Sequence, residues 1–409
     1  MTVLVASALA AGSATTVGVA APPTDLFVNN VLGTCSDTGP GTADTPFCGI
    51  QAAANVALPG QTVHIAAGQY FGQVNITRSG TPGNPITFEG VPHPGTAADR
   101  PLVNGCGGPG FQLSGAHDVV ITGIEVTGSA PGVAIGDSSG VTLVDDFLNG
   151  SAQRGDGVDI AGRSGDVTVR RSLIVDYLGD GINIGSGATG TTVTTNIVNG
   201  NSGPGVAAVD APGTVVTSNS LARNCTAGIS LVGTSTDGTV ENNVLDSDDN
   251  TSVGSSPCAP VPFLGELAVS ADSVDGTTAD YNLIDGEPAR LYNCAGTSYA
   301  SPAAFSAATG QGAHDLNGLP QFVDTTTDSV GSTSPVIDSA NSDAPGELTV
   351  DQAGHPRVDD PLRPNTGVGI ADRGAFEVSD PFSLGTLSVT PQKGPTPLPV
   401  TASVTVSNP

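Results

Sequence analysis

The strongest constraint on the fold is a repeat with a period near 24 residues. In one pattern, Val, Ile or Leu is followed three positions later by a small residue, Asn or Asp, and then usually by an apolar residue. These later positions are spaced 23, 26, 24, 23 and 24 residues apart, at Gly123, Asp146, Ser172, Asn196, Asn219 and Asn243. A second pattern, Gly followed by Val or Ile, keeps the same period at Gly132, Gly157, Gly181, Gly205 and Gly228. Two markers with one period predict a stacked solenoid.

Composition decides which kind of solenoid the repeat predicts. The usual helix formers are sparse, with one Met and a single lysine, Lys393, whereas Gly numbers 56 and Pro 31. The Leu-x-x-Leu-x-Leu frame of leucine-rich repeats is absent. We therefore predict an all-β parallel β-helix, with about three short strands per coil and coils roughly 4.8 Å apart.

The repeat also predicts which residues stack inside. One interior column is expected to contain Val133, Val158, Ile182, Val206 and Ile229, and a second Ile135, Ile160, Ile184, Val209 and Leu231. Asn196, Asn219 and Asn243 are expected to form an amide ladder at a tight bend, where Asn tolerates left-handed backbone. A helix over residues 50–57 is predicted to cap the first coil, because no single coil buries its own core.

Charge excludes several classes of partner. The chain has 39 acidic and 12 basic residues and a net charge of -27. No basic stripe can form, which excludes an ordinary nucleic-acid binder and argues against docking on anionic membranes. No apolar run of 18 residues is present, so no transmembrane segment is predicted. We expect a monomer.

Cysteines and the N-terminus both indicate export. Cys35 and Cys48 bracket one loop and Cys258 and Cys294 another, which predicts two disulfides formed in an oxidising compartment. Cys106 and Cys225 are expected to be free and buried. An apolar run over residues 3–11, followed by Val19, Ala20 and Ala21, predicts a signal peptide over residues 1–21 and a secreted, extracellular or cell-surface protein.

Several motifs resemble the start of secreted bacterial right-handed parallel β-helix proteins of the pectate-lyase-like superfamily. They run from Cys35 through the IQAA helix start at residues 50–53 and the PGQTV segment at 59–63 to the SGTPGNPITF segment at 79–88. The resemblance implies a right-handed β-helix with its N-terminal cap over residues 28–295.

The C-terminal part is similar to the choice-of-anchor Q segment that follows such helices. Its motifs are GLPQFVD at 318–324, SPVID at 334–338, GHPR at 354–357 and DRGAFE at 372–377. This implies a loop-rich segment over residues 296–378. From Leu384 the sequence resembles the start of a PKD-like, immunoglobulin-type β-sandwich, over residues 382–409.

The pectate-lyase-like superfamily includes lyases, hydrolases, epimerases and adhesive surfaces. The fold alone therefore does not predict an activity, which depends on the side chains at a site. A lyase needs a Lys or Arg base, and Ca²⁺ or a basic residue to neutralise the uronate carboxylate. The predicted solenoid contains no lysine. Arg170 and Arg171 remain as candidate base or substrate-binding residues; the alternative is that they pair with Asp145, Asp146 or Asp176.

Two successive coils resemble active-site coils of polygalacturonases: GDGVDI at residues 155–160 and GDGINI at 179–184. One coil of separation places Asp156 and Asp180 roughly 5 Å apart, and paired carboxylates are what glycoside hydrolysis requires. We predict them as catalytic residues, with Asp159 and Asn183 as substrate-binding neighbours. The third coil departs from the resembled pattern, because Pro204 stands where a His is expected.

Two alternatives remain open for these carboxylates. Asp156, Asp159 and Asp180 are also a candidate calcium site, and Asp before Gly often only bonds the backbone of a turn. Tyr177 is a candidate for stacking on a sugar ring. We therefore expect a protein that binds extracellular polysaccharide, with cleavage by a lyase or hydrolase left open and no cofactor other than Ca²⁺. The competing hypothesis is a non-catalytic adhesive or scaffold module.

Overall fold

A computed structural model describes residues 25–90, 99–151, 154–246, 264–286, 290–324 and 327–378. It also gives the backbone course of short strands at 252–257 and between 383 and 407. The predicted signal peptide, and Cys258, lie outside the described residues.

Three ten-stranded sheets wind into a parallel β-solenoid, and each coil contributes one strand to each sheet. The strands of sheet A are Leu26–Val28, Thr62–Ile65, Ile86–Glu89, His117–Thr122, Ser139–Val144, Thr168–Arg170, Thr192–Thr194, Val215–Thr217, Thr239–Glu241 and Thr278–Asp280. The strands of sheet B are Gly68–Phe71, Pro101–Asn104, Glu125–Thr127, Phe147–Asn149, Leu173–Val175, Ile197–Asn199, Ser220–Ala222, Val244–Asp246, Leu283–Asp285 and Leu316–Asn317.

Sheet C completes the solenoid. Its strands are Val74–Ile76, Phe111–Ser114, Val133–Gly136, Val158–Ala161, Ile182–Ile184, Val206–Val209, Ile229–Val232, Leu267–Val269, Tyr292–Cys294 and Thr297–Tyr299. The last of these turns back antiparallel on its neighbour. The described residues also form two short helices, α1 (Ile50–Val56) and α2 (Pro302–Thr309), and a 3₁₀ turn at Ala271–Ser273.

The interior consists of stacked apolar columns, as the repeat predicts. The first column is confirmed, because the strand register aligns Val133 with Val158, Ile182, Val206 and Ile229. The second column is wrong at one position. Ala208, not Val209, aligns between Ile184 and Leu231, and Val209 points outward with 36% of its surface exposed.

The predicted amide ladder forms at the bend between sheets A and B. Asn196 Nδ2 donates to Asn219 Oδ1 at 3.0 Å, and Asn219 Nδ2 donates to Asn243 Oδ1 at 3.0 Å. All three side chains are fully buried. The left-handed backbone, however, belongs to the preceding residue in each coil, with φ of 59° at Thr195 and 56° at Ser218. That residue turns the chain so that the following Asn points inward.

A second amide ladder, which the sequence analysis missed, lies at the bend between sheets B and C. Asn201 Nδ2 donates to Asn224 Oδ1 at 3.0 Å, and the Tyr177 backbone N–H donates to Asn201 Oδ1 at 3.1 Å. Both asparagines are fully buried. The bend that leads into sheet C is therefore held by side-chain amides in the coils immediately after Asp180.

Helix α1 packs against the first strands of the solenoid. Ile50, Ala53 and Ala54 are its buried residues. The Gln51 side chain bonds the backbone of the edge strand as a neighbouring strand would. Its amide donates to Asn75 O at 3.0 Å, and its Oε1 accepts from Asn75 N at 2.6 Å. These bonds occupy the edge of sheet C formed by Val74–Ile76. That α1 caps the solenoid stays a prediction.

One predicted disulfide is confirmed and the other is wrong. Cys35 and Cys48 are bonded, with their Cα atoms 5.0 Å apart. Cys294 is a free thiol, which excludes its pairing with Cys258. Cys106 is free, as predicted, but exposed rather than buried. Cys225 is buried, as predicted, but it is disulfide-bonded, so the prediction that it is free is wrong.

The C-terminal segment runs back along the solenoid over the bends between sheets A and B. Three solenoid side chains donate to its backbone: Thr194 to Gly346 at 2.8 Å, Thr217 to Pro345 at 2.7 Å and Asn242 to Asn341 at 2.8 Å. Asp328 is fully buried, where it pairs with Arg223 and accepts from Asn199 at 3.0 Å. Most of the hydrogen bonds that residues 327–378 make to the solenoid go to sheets A and B and their bends. On the outer face of sheet C, Asp159 and Asn183 keep part of their surface exposed.

Beyond residue 378 the backbone forms two antiparallel strand pairs. Ser383–Leu384 pairs with Val406–Ser407, and Ser388–Pro391 with Val400–Ser403. Whether they belong to a β-sandwich remains a prediction. Among the described residues, no helix is long and apolar enough to cross a membrane.

Candidate functional site

The candidate site lies where the chain passes from sheet B to sheet C in two successive coils. Asp156 and Asp180 each stand two residues before an interior residue, Val158 and Ile182, and these two residues pair directly in the parallel register. The two aspartates therefore occupy equivalent positions one coil apart, as the sequence predicts. Both are half-buried.

Asp156 bonds the backbone of the coil that carries Asp180. Its Oδ1 accepts the backbone N–H of Asp180 at 2.7 Å. One oxygen of Asp156 is thus engaged in the turn, which is the backbone role considered as an alternative. The bond also directs Asp156 towards the next coil, so its negative charge lies beside Asp180.

Glycines in the following coil make room for both carboxylates. A Cβ on Gly179 would overlap Asp156 Oδ1, and a Cβ on Gly203 would overlap Asp180 Oδ1. Each carboxylate therefore lies over a glycine of the next coil. Gly203 therefore leaves the space that the Asp180 carboxylate occupies. It belongs to the Gly-Pro-Gly segment that differs from the polygalacturonase pattern.

Asp159 and Asn183 lie beside this pair on the outward face of sheet C. They are register partners on neighbouring strands, and Asn183 Nδ2 donates to Asp159 Oδ1 at 3.0 Å. Both are half-buried, between fully buried interior neighbours. The alternation of the strands thus places two polar side chains where part of their surface stays exposed.

The carboxylates influence one another electrostatically. Burial, followed by the negative charges of Asp156 and Asp159, raises the pKa of Asp180 to about 7. Burial also raises the pKa of Asp156; the Asp180 N–H bond opposes this rise, and the charge of Asp159 adds to it. Asp180 can therefore give up or take a proton near neutral pH, which suits acid–base chemistry.

The two arginines do not join this site. Arg171 pairs with Asp145 through two bonds of 2.7 Å and a third of 2.9 Å, which confirms the ion pair considered as an alternative. Its backbone carbonyl accepts from Gln352 of the C-terminal segment at 3.3 Å. Arg170 is in sheet A, on a different face from Asp159. The interpretation of Arg171 as a substrate ligand is therefore wrong, because its guanidinium is engaged under the C-terminal segment.

Tyr177 is not available to a sugar. Its side chain is fully buried in the solenoid core, although it lies only three residues before Asp180. It reaches back so far that a Cβ on Gly132 would touch its hydroxyl. The predicted stacking role is therefore wrong, because the ring fills the interior of the bend.

The sequence analysis missed another carboxylate pair. Asp246 and Asp285 are register partners on sheet B. Burial and the neighbouring Asp285 raise the pKa of Asp246 to about 7, and Arg223 opposes this rise. The Val-Leu-Asp and Leu-Ile-Asp strand sequences could have revealed the pair. Asp328 of the C-terminal segment lies close by, so we assign the pair to the packing of that segment.

No group of three or more His, Cys, Asp or Glu side chains within the described ranges has an arrangement that could hold a metal ion. Three carboxylates nonetheless surround the Asp156–Asp180 bend. Oxygen ligands of this kind suit calcium, but one oxygen of Asp156 already accepts a backbone hydrogen bond. The calcium hypothesis stays a prediction.

Sequence comparison supports the fold. A family profile described as the right-handed β-helix region matches residues 102–245 and, in a second alignment, 147–280. No curated protein matches the chain. Taken with the sheet topology, the profile defines the described solenoid as a right-handed parallel β-helix.

Solved structures with this fold include carbohydrate-active proteins. Pectate lyase Pel9A is 14% identical with a TM-score of 0.51, and the match covers 88% of this chain and 97% of that one. XylC in complex with xylose is 12% identical with a TM-score of 0.52, covering 66% of each chain. The GH136 lacto-N-biosidase from Eubacterium ramulus is 15% identical with a TM-score of 0.51, covering 66% of this chain and 57% of that one. At such identities the likeness shows the fold alone.

Proposed function

We propose that this protein binds extracellular polysaccharide along the outer face of sheet C and hydrolyses it at the Asp156–Asp180 bend. One observation carries the proposal. Asp180 is a half-buried carboxyl whose pKa is raised to about 7, beside two further carboxylates on an open face. The carbohydrate-active proteins among the structural neighbours support it.

In the proposed reaction Asp180 is the general acid. Its proton passes to the glycosidic oxygen as the C1–O bond breaks, and a water molecule adds to C1. Asp159 takes the proton of that water, and Asn183 orients Asp159 through its 3.0 Å bond. Asp156 is a positioning residue, because it holds the Asp180 backbone and its charge adds to the effect of burial, which is the main cause of the raised pKa of Asp180.

Hydrolysis is favoured over elimination because, in the part of the chain that the structure describes, neither arginine predicted as a lyase base lies at the Asp156–Asp180 bend. A lyase needs a cationic or basic residue beside the uronate. Arg171 is bound to Asp145, and Arg170 lies on another sheet. Within the solenoid, residues 28–295, the sequence contains no lysine.

A non-catalytic glycan-binding module is the second candidate. It is favoured by the Asp156 bond to the turn, since a carboxylate engaged in this way is explained without catalysis. The same open face would then bind glycan, with no bond broken.

The deciding experiment compares cleavage with binding. Purified protein is incubated with a panel of neutral and acidic glycans, and new reducing ends and unsaturated uronates are measured. We expect reducing ends without unsaturated products, and Asp180→Asn should lower kcat about 10²- to 10⁴-fold while glycan binding is kept. Asp44→Asn, which changes an exposed aspartate in the N-terminal region, is the matched control.

Each outcome separates the candidates. Binding without any product supports the adhesive module and removes the hydrolase. Unsaturated products would establish a lyase instead. Full activity in Asp180→Asn would place the chemistry elsewhere.

Calcium is a further proposal for Asp156, Asp159 and Asp180. Its test compares the melting temperature in about 2 mM Ca²⁺ with that in the same concentration of Mg²⁺. This concentration is of the order of the dissociation constants of weak extracellular calcium sites. A rise specific to Ca²⁺ that disappears in Asp159→Ala supports the site. An unchanged melting temperature eliminates it.

We also propose that the protein is secreted or displayed at the cell surface. The Cys35–Cys48 disulfide supports an oxidising compartment. The anchor-like C-terminal motifs support surface display, which fractionation of expressing cells tests directly.

A further inference from the structure

We propose that the glycan recognised at the Asp156–Asp180 bend is uncharged, and that polyuronates are excluded. This inference rests on the proposed function and names the substrate class of the same site. It departs from the polygalacturonase resemblance, which implies a uronate substrate.

The first argument is the local charge. Asp156, Asp159 and Asp180 interact closely enough for each ionised neighbour to disfavour ionisation at Asp180. A uronate carboxylate bound here would add a further negative group to a half-buried site that already holds the carboxyl groups of three aspartates. Like charges in such a place cost free energy unless a cation separates them.

The second argument is that the arginines are engaged elsewhere. Five arginines hold the fold together through ion pairs or through bonds to backbone carbonyls. Arg100 and Arg373 donate to backbone carbonyls. The ion pairs are Arg171 with Asp145, Arg223 with Asp328, and Arg357 with Glu347 and Glu377. Arg154, two residues before Asp156, is exposed. Arg163, four residues after Asp159, is exposed as well. A uronate could still use either arginine, and Arg154, the nearer in sequence to the carboxylates, is tested first.

The third argument concerns the approach of the ligand. The whole chain has a net charge of -27, so its field repels polyanions before contact and slows their association. An uncharged glycan experiences no such repulsion. Hydroxyl groups can bond the carboxylate of Asp159 and the amide of Asn183, which together offer acceptors and donors.

The test uses pairs of glycans with the same backbone, in which the carboxylate of one member is esterified or reduced in the other and so carries no charge. Binding is measured for polygalacturonate against its fully methyl-esterified form, for glucuronoxylan against its carboxyl-reduced form, and for alginate against its carboxyl-reduced form. We expect the uncharged member of a bound pair to bind at least about tenfold more tightly. In Asp159→Asn this ratio should shrink, whereas the control Asp44→Asn should keep it.

The outcomes distinguish this inference from the proposed function. Equal or tighter binding of the charged member, especially if Arg154→Gln removes it, overturns the uncharged-substrate inference and leaves polysaccharide binding intact. Failure to bind any glycan of these pairs or of the broader panel overturns the proposed function and this inference with it.

Discussion

Asp156 Oδ1 accepts the backbone N–H of Asp180 at 2.7 Å, across one coil of the solenoid. The bond ties two equivalent bends together and fixes a negative charge beside the next carboxyl. A backbone role and an electrostatic role thus reside in one side chain. They can be separated, because asparagine keeps the acceptor oxygen and loses the charge.

Asp156→Asn should therefore shift the pH dependence of cleavage without unfolding the bend. Removing the charge of Asp156 lowers the pKa of Asp180, which that charge now helps to raise to about 7. Asp180 would then lose its proton at lower pH, and the alkaline limb of the pH–rate profile should move to lower pH. An unmoved limb with normal stability would show that Asp180 is not the titrating acid.

The protein should be more stable in mild acid than at alkaline pH. Burial raises the pKa of Asp246 to about 7 and those of Asp315 and Asp328 to about 6. A carboxyl whose pKa is higher in the folded state stabilises that state when protonated. Its contribution is fully present below the unfolded pKa, near 4, and is lost as pH rises through about 6 to 7. The self-repulsion of a chain with net charge -27 acts in the same direction.

Thermal unfolding measured from pH 4 to pH 8 checks this prediction. The melting temperature should fall by about 5 °C or more over this range. Asp246→Asn should flatten the decline, and the exposed-site control Asp44→Asn should leave it unchanged. A melting temperature that rises towards pH 8 would contradict the assigned direction.

The interior of the solenoid was predictable from sequence because each column repeats once per coil. Val133, Val158 and Ile182 keep one spacing, and parallel register then forces them into one stack. The prediction for Val209 is wrong because, in this coil, the larger apolar residue stands one position after the interior place. One residue is enough to turn a side chain from the core to solvent, so Ala208 took the interior place.

The candidate site was predictable in position but not in orientation. Register alone brings Asp156 and Asp180 to equivalent places on adjacent coils. The direction of a side chain at a bend depends on the local backbone and on what space the next coil leaves, which spacing does not encode. For this reason the sequence could not show that Tyr177 points into the core. Nor could it show that Cys225 is bonded and Cys294 is free, since connectivity follows from the three-dimensional course of the loops.

The amide ladder should contribute measurably to stability. Asn219 lies at its centre, bonded to Asn196 at 3.0 Å and to Asn243 at 3.0 Å. Asn219→Ala leaves buried amide groups without partners and should cost about 1–3 kcal/mol in the free energy of unfolding. Urea unfolding measures the change, with the exposed Asn365→Ala as the control. Equal midpoints for both variants would remove the ladder from the sources of stability.

Tyr177→Phe should stabilise the protein or leave its stability unchanged. The Tyr177 hydroxyl is buried and has no hydrogen-bond partner among the residues that the structure describes, and an unpaired buried hydroxyl costs about 1–3 kcal/mol. Removing it keeps the ring that fills the bend. Urea unfolding should show an equal or higher midpoint, and glycan binding should be unaffected. Weaker binding in a stable Phe variant would restore a role for this residue in the site.

Arg373 should hold the C-terminal segment on the solenoid. It is 3% exposed, and its guanidinium donates to the carbonyls of Ser339, Asn282 and His314 at 2.9 Å each. One side chain thus joins the segment to the last coils. Arg373→Ala leaves three carbonyls without their donor and should cost roughly 3 kcal/mol or more. Limited proteolysis should then cut within residues 327–378 before the solenoid is cut.

Two further variants distinguish this role from a general loss of stability. Arg373→Lys should recover part of the protection, because an ammonium group also donates to carbonyls but lacks the planar geometry that reaches all three. Arg163→Ala, at an exposed bend, should leave the cleavage pattern unchanged. If Arg373→Ala resists proteolysis as well as the wild type, the segment is held by its other contacts, such as Asp328 with Arg223. Sheets A and B would then remain covered without this arginine.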